Sequence, residues 1–337
     1  MNRECNAKVT GIGSCVPDHI ITNHDLEQLV DTNDEWIQTR TGIRERRKAD
    51  STQATSDLAT KAAVIALRSA GISPEDLDAI VVATTTPDMA FPSTACIVQK
   101  NVGAHNAFAY DVSAACAGFL FGLSNATQHI QAGMCRHVLL IGADKMSHIT
   151  DFQDRNTCVL FGDGAGAIVL SNTDVEEGVI RTELGSDGRH GDILSVPAGG
   201  TRLPLTEETL PLRKHYIDMN GSEVFKMAVR AMGSSAGLLL EKSGYHIDQV
   251  DWLVPHQANK RIIDTLGKKM GIPNEKVFIN LQHYGNMSAA SIPVALDEAY
   301  RSNLLKPDQL ILMVAFGGGL TWGSSLLRWT MEPKNNE

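Results

Sequence analysis

Three residues of this chain have side chains that could together perform nucleophilic chemistry: Cys116, His256 and Asn286. Cys116 follows a short extended segment and precedes a run of small residues that begins a predicted helix. The positive end of a helix dipole favours a thiolate, so this position predicts a Cys116 pKa below the ordinary value of about 8.5. A cysteine among alanines could also be a small core residue, so Cys116 alone does not establish a reaction.

His256 and Asn286 each have a functional and a structural interpretation. His256 directly follows a predicted strand, where reactive side chains emerge from an α/β sheet, and Pro255 would restrict its backbone. It could equally be a structural histidine. Asn286 lies in a glycine-containing turn before a small-residue helix, where asparagine is often a helix cap. The functional interpretation becomes the better one only when the three residues are considered together.

The order Cys, His, Asn along the chain is compatible with two reactions. In a papain-like protease the asparagine orients the histidine, which activates the cysteine. The local cysteine signature of those proteases is absent, and Cys116 lies far from the N-terminus. In thioester condensation the cysteine accepts an acyl group, and two neutral donors stabilise the enolate formed when a malonyl thioester loses carbon dioxide. The second reaction fits better.

Short apolar runs that end in small or turn residues alternate with longer Ala-rich stretches, the pattern of an α/β protein. The clearest strands are predicted at Ala79–Ala83, Val138–Ile141, Ala167–Leu170, Trp252–Val254 and Leu310–Ala315. Helices are predicted at Ser56–Ala70, Ala117–Gln131, Ser222–Lys242 and Gln257–Met270. The last two end in Lys or Arg next to a glycine, as helix C-termini commonly do.

An internal similarity divides the chain into two halves. The segments that begin at Gly71 and at Gly244 both follow a helix, contain an Asp just before a strand, and are offset by 173 residues. The similarity could also arise by chance, because this kind of helix–strand connection is common in α/β proteins. We expect an N-terminal half at 1–174 that contains the cysteine, a C-terminal half at 175–337 that contains the histidine and asparagine, and a site between them. Thr201–Tyr216 is predicted to be an irregular insertion.

Composition excludes several classes of protein. The 337 residues are 43% hydrophobic with a net charge of −9, so a nucleic-acid backbone is not an expected partner. No segment approaches the ~20 apolar residues of a membrane span, and the first residues are polar, which predicts a cytoplasmic protein. No C-x-x-C pair occurs, so we expect reduced thiols and no structural zinc site. The cysteines are Cys5, Cys15, Cys96, Cys116, Cys135 and Cys158.

Several motifs together resemble the β-ketoacyl-acyl-carrier-protein synthase III family. They occur in the order of that family from about residue 9 to residue 329. The motifs are Asp34-Glu-Trp-Ile-Gln-Thr-Arg-Thr-Gly-Ile-Arg-Glu-Arg, Phe91-Pro-Ser-Thr-Ala-Cys, the Cys116 segment, Arg155 with Phe161-Gly-Asp-Gly-Ala-Gly-Ala, His256-Gln-Ala-Asn, Tyr284-Gly-Asn and Phe316-Gly-Gly-Gly-Leu-Thr-Trp-Gly. The related elongating synthases have a second His at the position of Asn286, so the resemblance is to the initiating type.

This resemblance implies an α/β fold of the thiolase type, with five layers αβαβα built from two similar halves, and usually a homodimer. It implies that Cys116 is the nucleophile, that His256 and Asn286 hold the malonyl thioester oxygen, and that the amides of Cys116 and Gly318 form the oxyanion hole. The substrates would be a short acyl-CoA and malonyl-acyl-carrier protein, with no metal or redox cofactor. Phe316 would pack beside the thiol. Phe91 would enter the acyl pocket of the partner subunit.

The resemblance also implies two binding surfaces. Trp36 would stack on the adenine of coenzyme A, Arg155 would lie on the other side of the base, and Arg40 would meet phosphate. Alternatively, these are half-packed surface residues. A basic helix face would dock the acidic carrier protein, although it could be a solvated surface. Its residues would be Gln257, Ala258, Asn259, Lys260, Arg261, Lys268 and Lys269.

Some features depart from the family pattern or leave alternatives open. Met287 stands where Thr is common, Leu320 stands where Phe is frequent, and Thr201–Tyr216 is longer than usual, and these departures bear on the choice of primer. Gly162-Asp-Gly-Ala-Gly lacks the spacing of a phosphate loop and is interpreted as tight backbone packing. A starter-unit or secondary-metabolite synthase of the same superfamily is an alternative function. A non-catalytic acyl-carrier-binding scaffold is a third, which the complete Cys, His and Asn set disfavours.

Overall fold

The structure is a computed structural model that describes residues 6–175 and 177–333. Cys5 lies outside the described residues. The strands are β1 (Asn6–Cys15), β2 (Ile20–Thr22), β3 (Glu45–Arg47), β4 (Ala79–Ala83), β5 (Phe108–Val112), β6 (His137–Lys145), β7 (Asp163–Thr173), β8 (Gly178–Ser186), β9 (Leu194–Ser195), β10 (Asp218–Met219), β11 (Trp252–Pro255), β12 (Leu310–Gly317) and β13 (Thr321–Arg328). The helices are α1 (Asn23–Glu27), α2 (Asp34–Thr41), α3 (Thr55–Ala70), α4 (Thr94–Val102), α5 (Gly118–Gln131), α6 (Arg155–Cys158), α7 (Gly221–Ser243), α8 (Lys260–Met270), α9 (Leu281–Tyr284) and α10 (Ser291–Arg301).

Two large sheets organise these elements. The first has five strands in the order β1-β7-β6-β4-β5, in which β4 runs parallel to both β5 and β6. The second has four strands in the order β11-β12-β13-β8, in which β11 and β12 are parallel. The carboxyl ends of parallel strands lie at one edge of a sheet, where loops can present reactive side chains. Cys116 follows β5, and His256 follows β11.

The helices form three layers around the two sheets. Helices α3 and α4 cover the outer face of the first sheet, and α7 covers the outer face of the second and packs against α8. Between the sheets, α5 and α10 contact both. Nine of the eleven residues of α10 are buried, as expected of a helix with protein on all sides. The result is the thiolase-type αβαβα arrangement that the family resemblance implies.

The internal similarity corresponds to a structural repeat. Gly71 and Gly244 both end a long helix in the left-handed conformation, with φ of 66° and 71°, which glycine adopts without strain. After each glycine, a short 3₁₀ turn leads into a strand, β4 or β11. Asp78 and Asp251 then accept backbone N–H groups at the start of the neighbouring strand. The two segments therefore repeat a local structure, not only a pattern of residues.

The predicted elements agree with the structure except at some boundaries. The helix expected at Gln257–Met270 begins at Lys260, because the side chain of Asn259 accepts the amide of Arg261 and caps the first turn. No helix among the described residues is long and apolar enough to cross a bilayer. Thr201–Tyr216 is irregular as predicted, with one 3₁₀ turn at Leu210–Leu212.

Candidate active site

A cavity of about 900 Å³ brings the three predicted reactive residues together. Cys116, His256 and Asn286 all line it, together with Phe316 and Gly318. Much of its wall is apolar and includes Met146, Ile149, Phe161, Met219, Val224 and Ile262. A large cavity with an apolar wall and a few convergent polar groups is typical of a site for a small ligand.

Cys116 lies in a tight turn, Ala115–Ala117, that leads into α5. Ala115 has φ of 47°, a left-handed conformation that is strained for a residue with a Cβ atom. The end of β12 packs directly against this turn. A Cβ atom added to Gly317 would lie 2.6 Å from the amide nitrogen of Cys116, so only glycine fits there. The structure thus holds the run Gly317-Gly318-Gly319 beside the turn that contains Cys116.

The predicted low pKa of Cys116 is wrong for the free protein. Burial raises the pKa of the Cys116 thiol to about 12, and the charge of Asp144 acts in the same direction. The thiol is only partly accessible from the cavity and has protein on its other sides. Desolvation of the thiolate therefore outweighs the effect expected from the helix terminus. The Ser288 hydroxyl and the backbone amide of Cys116 act in the opposite direction and lower the pKa.

His256 is a buried, neutral histidine. Its exposed fraction is 4%, and burial lowers its pKa to about 3. Its backbone amide donates to Val314 O at 2.8 Å, which fixes the residue at the carboxyl end of β11. Its Nδ1 atom has no hydrogen-bond partner among the described residues. His256 also lines the cavity, where a neutral imidazole can exchange a hydrogen bond with a ligand.

The turn that contains Asn286 is fixed through its backbone. The Asn286 amide donates to Leu160 O at 2.8 Å, and its carbonyl accepts the amide of Gly162 at 3.0 Å. The side-chain Oδ1 accepts the amide of Ser288 at 2.9 Å, but Asn286 is not a helix N-cap, because Met287 and Ala290 hold that position in the two helical segments that follow. The NH₂ group of the same carboxamide therefore points away from Ser288. The Asn286 NH₂ group is therefore a neutral donor, and both the backbone and the Oδ1 atom of the residue are fixed by hydrogen bonds.

The glycine run after Phe161 allows close packing, as predicted. A Cβ atom at Gly162 would lie 2.2 Å from Tyr284 O, and one at Gly164 would lie 2.5 Å from the sulfur of Met287. Met287 itself is fully buried and does not line the cavity. Leu320 is also buried, in the core under α7. Neither departure from the family pattern therefore borders the acyl cavity.

Asp144 connects the two halves behind the site, and the sequence reasoning missed it. Its buried Oδ1 accepts from the hydroxyl of Thr84 and the amide and hydroxyl of Thr85, among other groups at the end of β4. Its Oδ2 accepts the amide of Ala289, in the turn after Asn286, at 3.1 Å. The only signal in the sequence is a single Asp at the end of a buried apolar strand.

Phe316 and Gly318 both line the cavity with Cys116. Phe316 is buried and lines the cavity at the end of β12. The hydroxyl of Thr321 lies 2.8 Å from Ala114 O and 3.2 Å from Gly318 O. This hydroxyl ties the glycine turn to the nucleophile turn. The relative position of the Cys116 and Gly318 amides is therefore constrained by one side chain.

The three predicted coenzyme A contacts lie close together at the surface. The guanidinium carbon of Arg155 lies 4.1 Å from the centroid of the Trp36 ring, and that of Arg40 lies 5.9 Å from it. Arg40 lines the mouth of the cavity. Arg155 thus stacks directly on the indole and leaves no gap for a base. The expected arrangement, with a base between them, requires Arg155 to move.

Phe91 does not line the cavity of its own chain, and its entry into a partner subunit's pocket stays a prediction. Its exposed fraction is 84%, and it projects from the surface beside Met89, which is 49% exposed. A phenylalanine exposed to this extent is unusual in a monomer. Phe91 could contribute to a site only if another molecule covered it.

The predicted docking residues separate into three groups. Lys260, Arg261, Lys268 and Lys269 are exposed on α8, with Arg261 also at the cavity mouth. Ala258 and Asn259 line the cavity wall instead. Gln257 is not a docking residue, because its side chain is fully buried and bonds to Pro255 O and Phe278 O. Helix α8 begins too late for Gln257 to lie on its exposed face.

The region around Thr201–Tyr216 borders the cavity through its base, not through its tip. The short strands β9 and β10 pair below it, and their residues Leu194 and Met219 line the cavity. Arg213 forms an ion pair with Asp151 that holds the loop across this face. The loop can therefore influence the cavity only through the strands β9 and β10 at its base.

Comparison with known proteins identifies relatives over the full length of the chain. A family model described as 3-oxoacyl-[acyl-carrier-protein (ACP)] synthase III matches residues 110–188, and the model of its C-terminal part matches residues 240–329. A relative from Natranaerobius thermophilus named β-ketoacyl-[acyl-carrier-protein] synthase III is 55% identical over 327 residues, 96% of this chain and 99% of that protein.

Solved structures of the same family are also similar to this chain. The crystal structure of 3-oxoacyl-[acyl-carrier-protein] synthase III from Aquifex aeolicus VF5 is 47% identical, with a TM-score of 0.89 over 96% of this chain and all of that chain. The priming β-ketosynthase of the R1128 polyketide pathway is 34% identical, with a TM-score of 0.91 over 98% of this chain and 97% of that chain.

Proposed function

The chain belongs to the 3-oxoacyl-[acyl-carrier-protein] synthase III family, and from its condensing acyltransferase activity we propose a role for each residue of the cavity. Cys116 accepts the acyl group, His256 and Asn286 assist decarboxylation, and the amides of Cys116 and Gly318 bind the oxyanion. The observation that supports this most strongly is the meeting of all four residues in one cavity. Cys116 comes from one half of the chain, and the other three come from the second half.

In the first step Cys116 takes an acyl group from coenzyme A. The Cys116 sulfur attacks the thioester carbonyl carbon, the bond to the coenzyme A sulfur breaks, and the proton of Cys116 ends on that sulfur. Negative charge develops on the carbonyl oxygen, and backbone amides can stabilise it without reorganisation. The strained turn at Ala115 and the glycines after Phe316 bring these amides to the thiol.

In the second step a malonyl thioester loses carbon dioxide. The bond to its carboxylate breaks, and the electron pair remains as an enolate whose oxygen needs two donors. The carboxamide of Asn286 and the neutral imidazole of His256 are donors of this kind. The enolate carbon then attacks the acyl carbonyl, a carbon–carbon bond forms, and Cys116 leaves as a thiolate that regains a proton. These reaction steps involve no net oxidation or reduction and require no metal or redox cofactor.

The two substrates would share the cavity mouth. Arg40 and Arg261 both line it, and either can meet a phosphate group. Trp36 and Arg155 would receive the adenine of the acyl-CoA after Arg155 moves off the indole. The exposed cations of α8 would dock the acidic carrier protein that presents the malonyl group. A short acyl-CoA, with acetyl-CoA the simplest, would be the primer.

A homodimer would complete the site. Among the described residues, β5 pairs only with β4, so its other edge has unpaired backbone groups and a partly exposed Phe108. An edge strand of this kind can pair with the same strand of a second copy. Phe91 would then be covered and could enter the partner's acyl pocket. The assembly would be cytoplasmic, where its acyl-CoA and carrier substrates are made.

Mass spectrometry after incubation with a series of acyl-CoAs tests this function. The wild-type chain should gain one acyl mass on the peptide that contains Cys116, and the Cys116→Ala variant should gain none. Addition of malonyl-carrier protein should then remove the acyl group with release of carbon dioxide. An acyl group retained by the Cys116→Ala variant would disprove the assignment of the nucleophile.

The same experiment separates the primary synthase from a starter-unit synthase. The 55% identity to the Natranaerobius relative, against 34% to the polyketide priming enzyme, favours the primary role. Preference for a long or unusual acyl group would favour the alternative. A chain that binds carrier protein without gaining any acyl group would be a non-catalytic scaffold.

A further inference from the structure

Ser288 lies beside both Cys116 and Asn286. It begins a turn, Ser288–Ala290, that packs against the turn of Cys116. Both Ser288 and Cys116 line the cavity, and the Ser288 hydroxyl is close enough to the thiol to lower the pKa of Cys116. Its amide donates to Asn286 Oδ1, and the next residue, Ala289, donates to Asp144. Ser288 is therefore held in place by its backbone, and its hydroxyl remains available to the thiol.

The backbone of Ser288 is strained. Its φ is 49°, close to the 47° of Ala115, and the same 173-residue offset that relates Gly71 to Gly244 relates Ala115 to Ser288. The two strained turns are thus equivalent positions of the repeat. A glycine would adopt this conformation without strain, whereas a serine does so only at a cost. A strained polar residue that faces a nucleophile is typical of a functional position.

The site needs a donor for the thiolate. Burial and the nearby Asp144 both disfavour the charged sulfur, and the pKa of Cys116 is raised to about 12. His256 is neutral, so it supplies no positive charge to offset this effect. The Ser288 hydroxyl acts in the opposite direction, lowers the pKa of Cys116 and so favours the thiolate. Hydrogen bonds to charged groups are stronger than those to neutral groups.

We propose that the Ser288 hydroxyl is a further catalytic group, which donates a hydrogen bond to the Cys116 thiolate during acyl transfer. This inference rests on the proposed function and assigns it one more residue. The thiol loses its proton, the thiolate accepts the hydrogen bond, and the sulfur then attacks the acyl carbonyl carbon. The coenzyme A sulfur leaves and takes up the proton. During condensation the same hydroxyl stabilises Cys116 as a leaving group.

A pair of variants separates the hydroxyl from the backbone. Ser288→Ala removes the hydroxyl and keeps the strain, whereas Ser288→Gly removes both. The rate of alkylation of Cys116 by iodoacetamide at pH 8, measured by peptide mass spectrometry, reports the thiolate fraction without any acyl substrate. We expect both variants to be alkylated ~10-fold more slowly than wild type, as for the loss of a hydrogen bond to a charged group.

Ser291→Ala is the matched control. It removes a buried hydroxyl just after the same turn, one that accepts the amide of Met287 and not the thiol. Its alkylation rate should stay within about twofold of wild type, because its hydroxyl gives the thiolate no hydrogen bond. Equal slowing in Ser291→Ala, or wild-type reactivity in Ser288→Gly, would show that packing or backbone strain matters rather than the hydroxyl, and the proposal would be wrong.

Single-turnover acylation by acetyl-CoA provides the second measurement. Both Ser288 variants should lose ~10–100-fold in the acylation rate, and release of carbon dioxide from malonyl-carrier protein should fall less, because Asn286 is held by a backbone amide. If wild type never becomes acylated, the proposed function fails, while alkylation still tests Ser288. If wild type is acylated and both Ser288 variants are acylated at the same rate, only this inference fails.

Discussion

At the scale of single residues, the surroundings of His256 determine its charge. The imidazole is buried, and its pKa lies near 3, so it is neutral throughout the range in which enzymes usually work. In a papain-like pair the histidine would carry a positive charge beside a thiolate. A neutral histidine agrees better with hydrogen bonding to an enolate oxygen.

This depressed pKa predicts how stability depends on pH. Unfolded His256 takes up a proton below about pH 6.5, whereas the folded residue does so only near pH 3, so acid favours unfolding between these values. The contribution is complete above pH 6.5 and is lost as the pH falls. When the pH falls from 7 to 4.5, the free energy of unfolding of wild type should decrease by ~2 kcal/mol more than that of His256→Ala. Urea unfolding at both pH values measures this, and parallel losses in the two proteins would contradict it.

The division of work between Asn286 and the backbone amides gives a second prediction. Acyl transfer needs the amides of Cys116 and Gly318, whereas decarboxylation needs a side-chain donor on the enolate oxygen. Loss of one such donor costs ~10²–10³ in rate. Asn286→Ala should therefore still be acylated by acetyl-CoA but lose most release of carbon dioxide from malonyl-carrier protein. Single-turnover measurements of the two steps provide the comparison. Normal decarboxylation without acylation would instead indicate a protease-like triad.

At the scale of secondary-structure elements, helix α8 has one face that packs in the core and one that presents cations to solvent. Its buried residues Ile262 and Leu266 belong to the core of the second sheet, and its exposed face presents cations. Asn259, which caps the helix, also donates to Arg40 O and so links α8 to α2. The helix thereby joins the predicted carrier surface to the predicted coenzyme A surface at one cavity mouth.

This arrangement predicts that charge reversal on α8 affects one half-reaction. Arg261→Glu should raise the KM for malonyl-carrier protein ~10-fold at low salt and reduce its salt dependence, because the exposed cation steers an acidic partner. Acylation by acetyl-CoA should change less. Lys306→Glu is the control, since Lys306 is exposed near the start of β12, at the end opposite to the site. Equal damage to both half-reactions would argue against a separate docking surface.

At the scale of the whole molecule, the exposed edge of the first sheet predicts the assembly. Strand β5 has an unpaired edge among the described residues, and the ring of Phe108 stacks on Tyr110 at 6.2 Å. Phe108→Lys should place a charge in this interface and convert a dimer to monomers. Sedimentation measures the change, with Ile65→Lys as a control at an exposed apolar position on α3. A wild-type chain that is monomeric at all concentrations would disprove the dimer.

Much of this protein follows from the sequence by itself. Five of the strands, four of the helices, the repeat at Gly71 and Gly244 and the positions of Cys116, His256 and Asn286 beside element ends were predictable. The reason is that periodicity, glycine caps and the residues that follow strands depend on local interactions.

Only the tertiary structure determined which of these residues are buried and what lies behind them. Gln257 and Arg261 are four residues apart, yet one is fully buried and the other is exposed, because α8 begins between them. The pKa of Cys116 rises instead of falling, since desolvation depends on the atoms that surround it in three dimensions. Asp144 and Ser288 meet the site from segments distant in sequence. Burial and contacts between the halves are nonlocal, so no local pattern contains them.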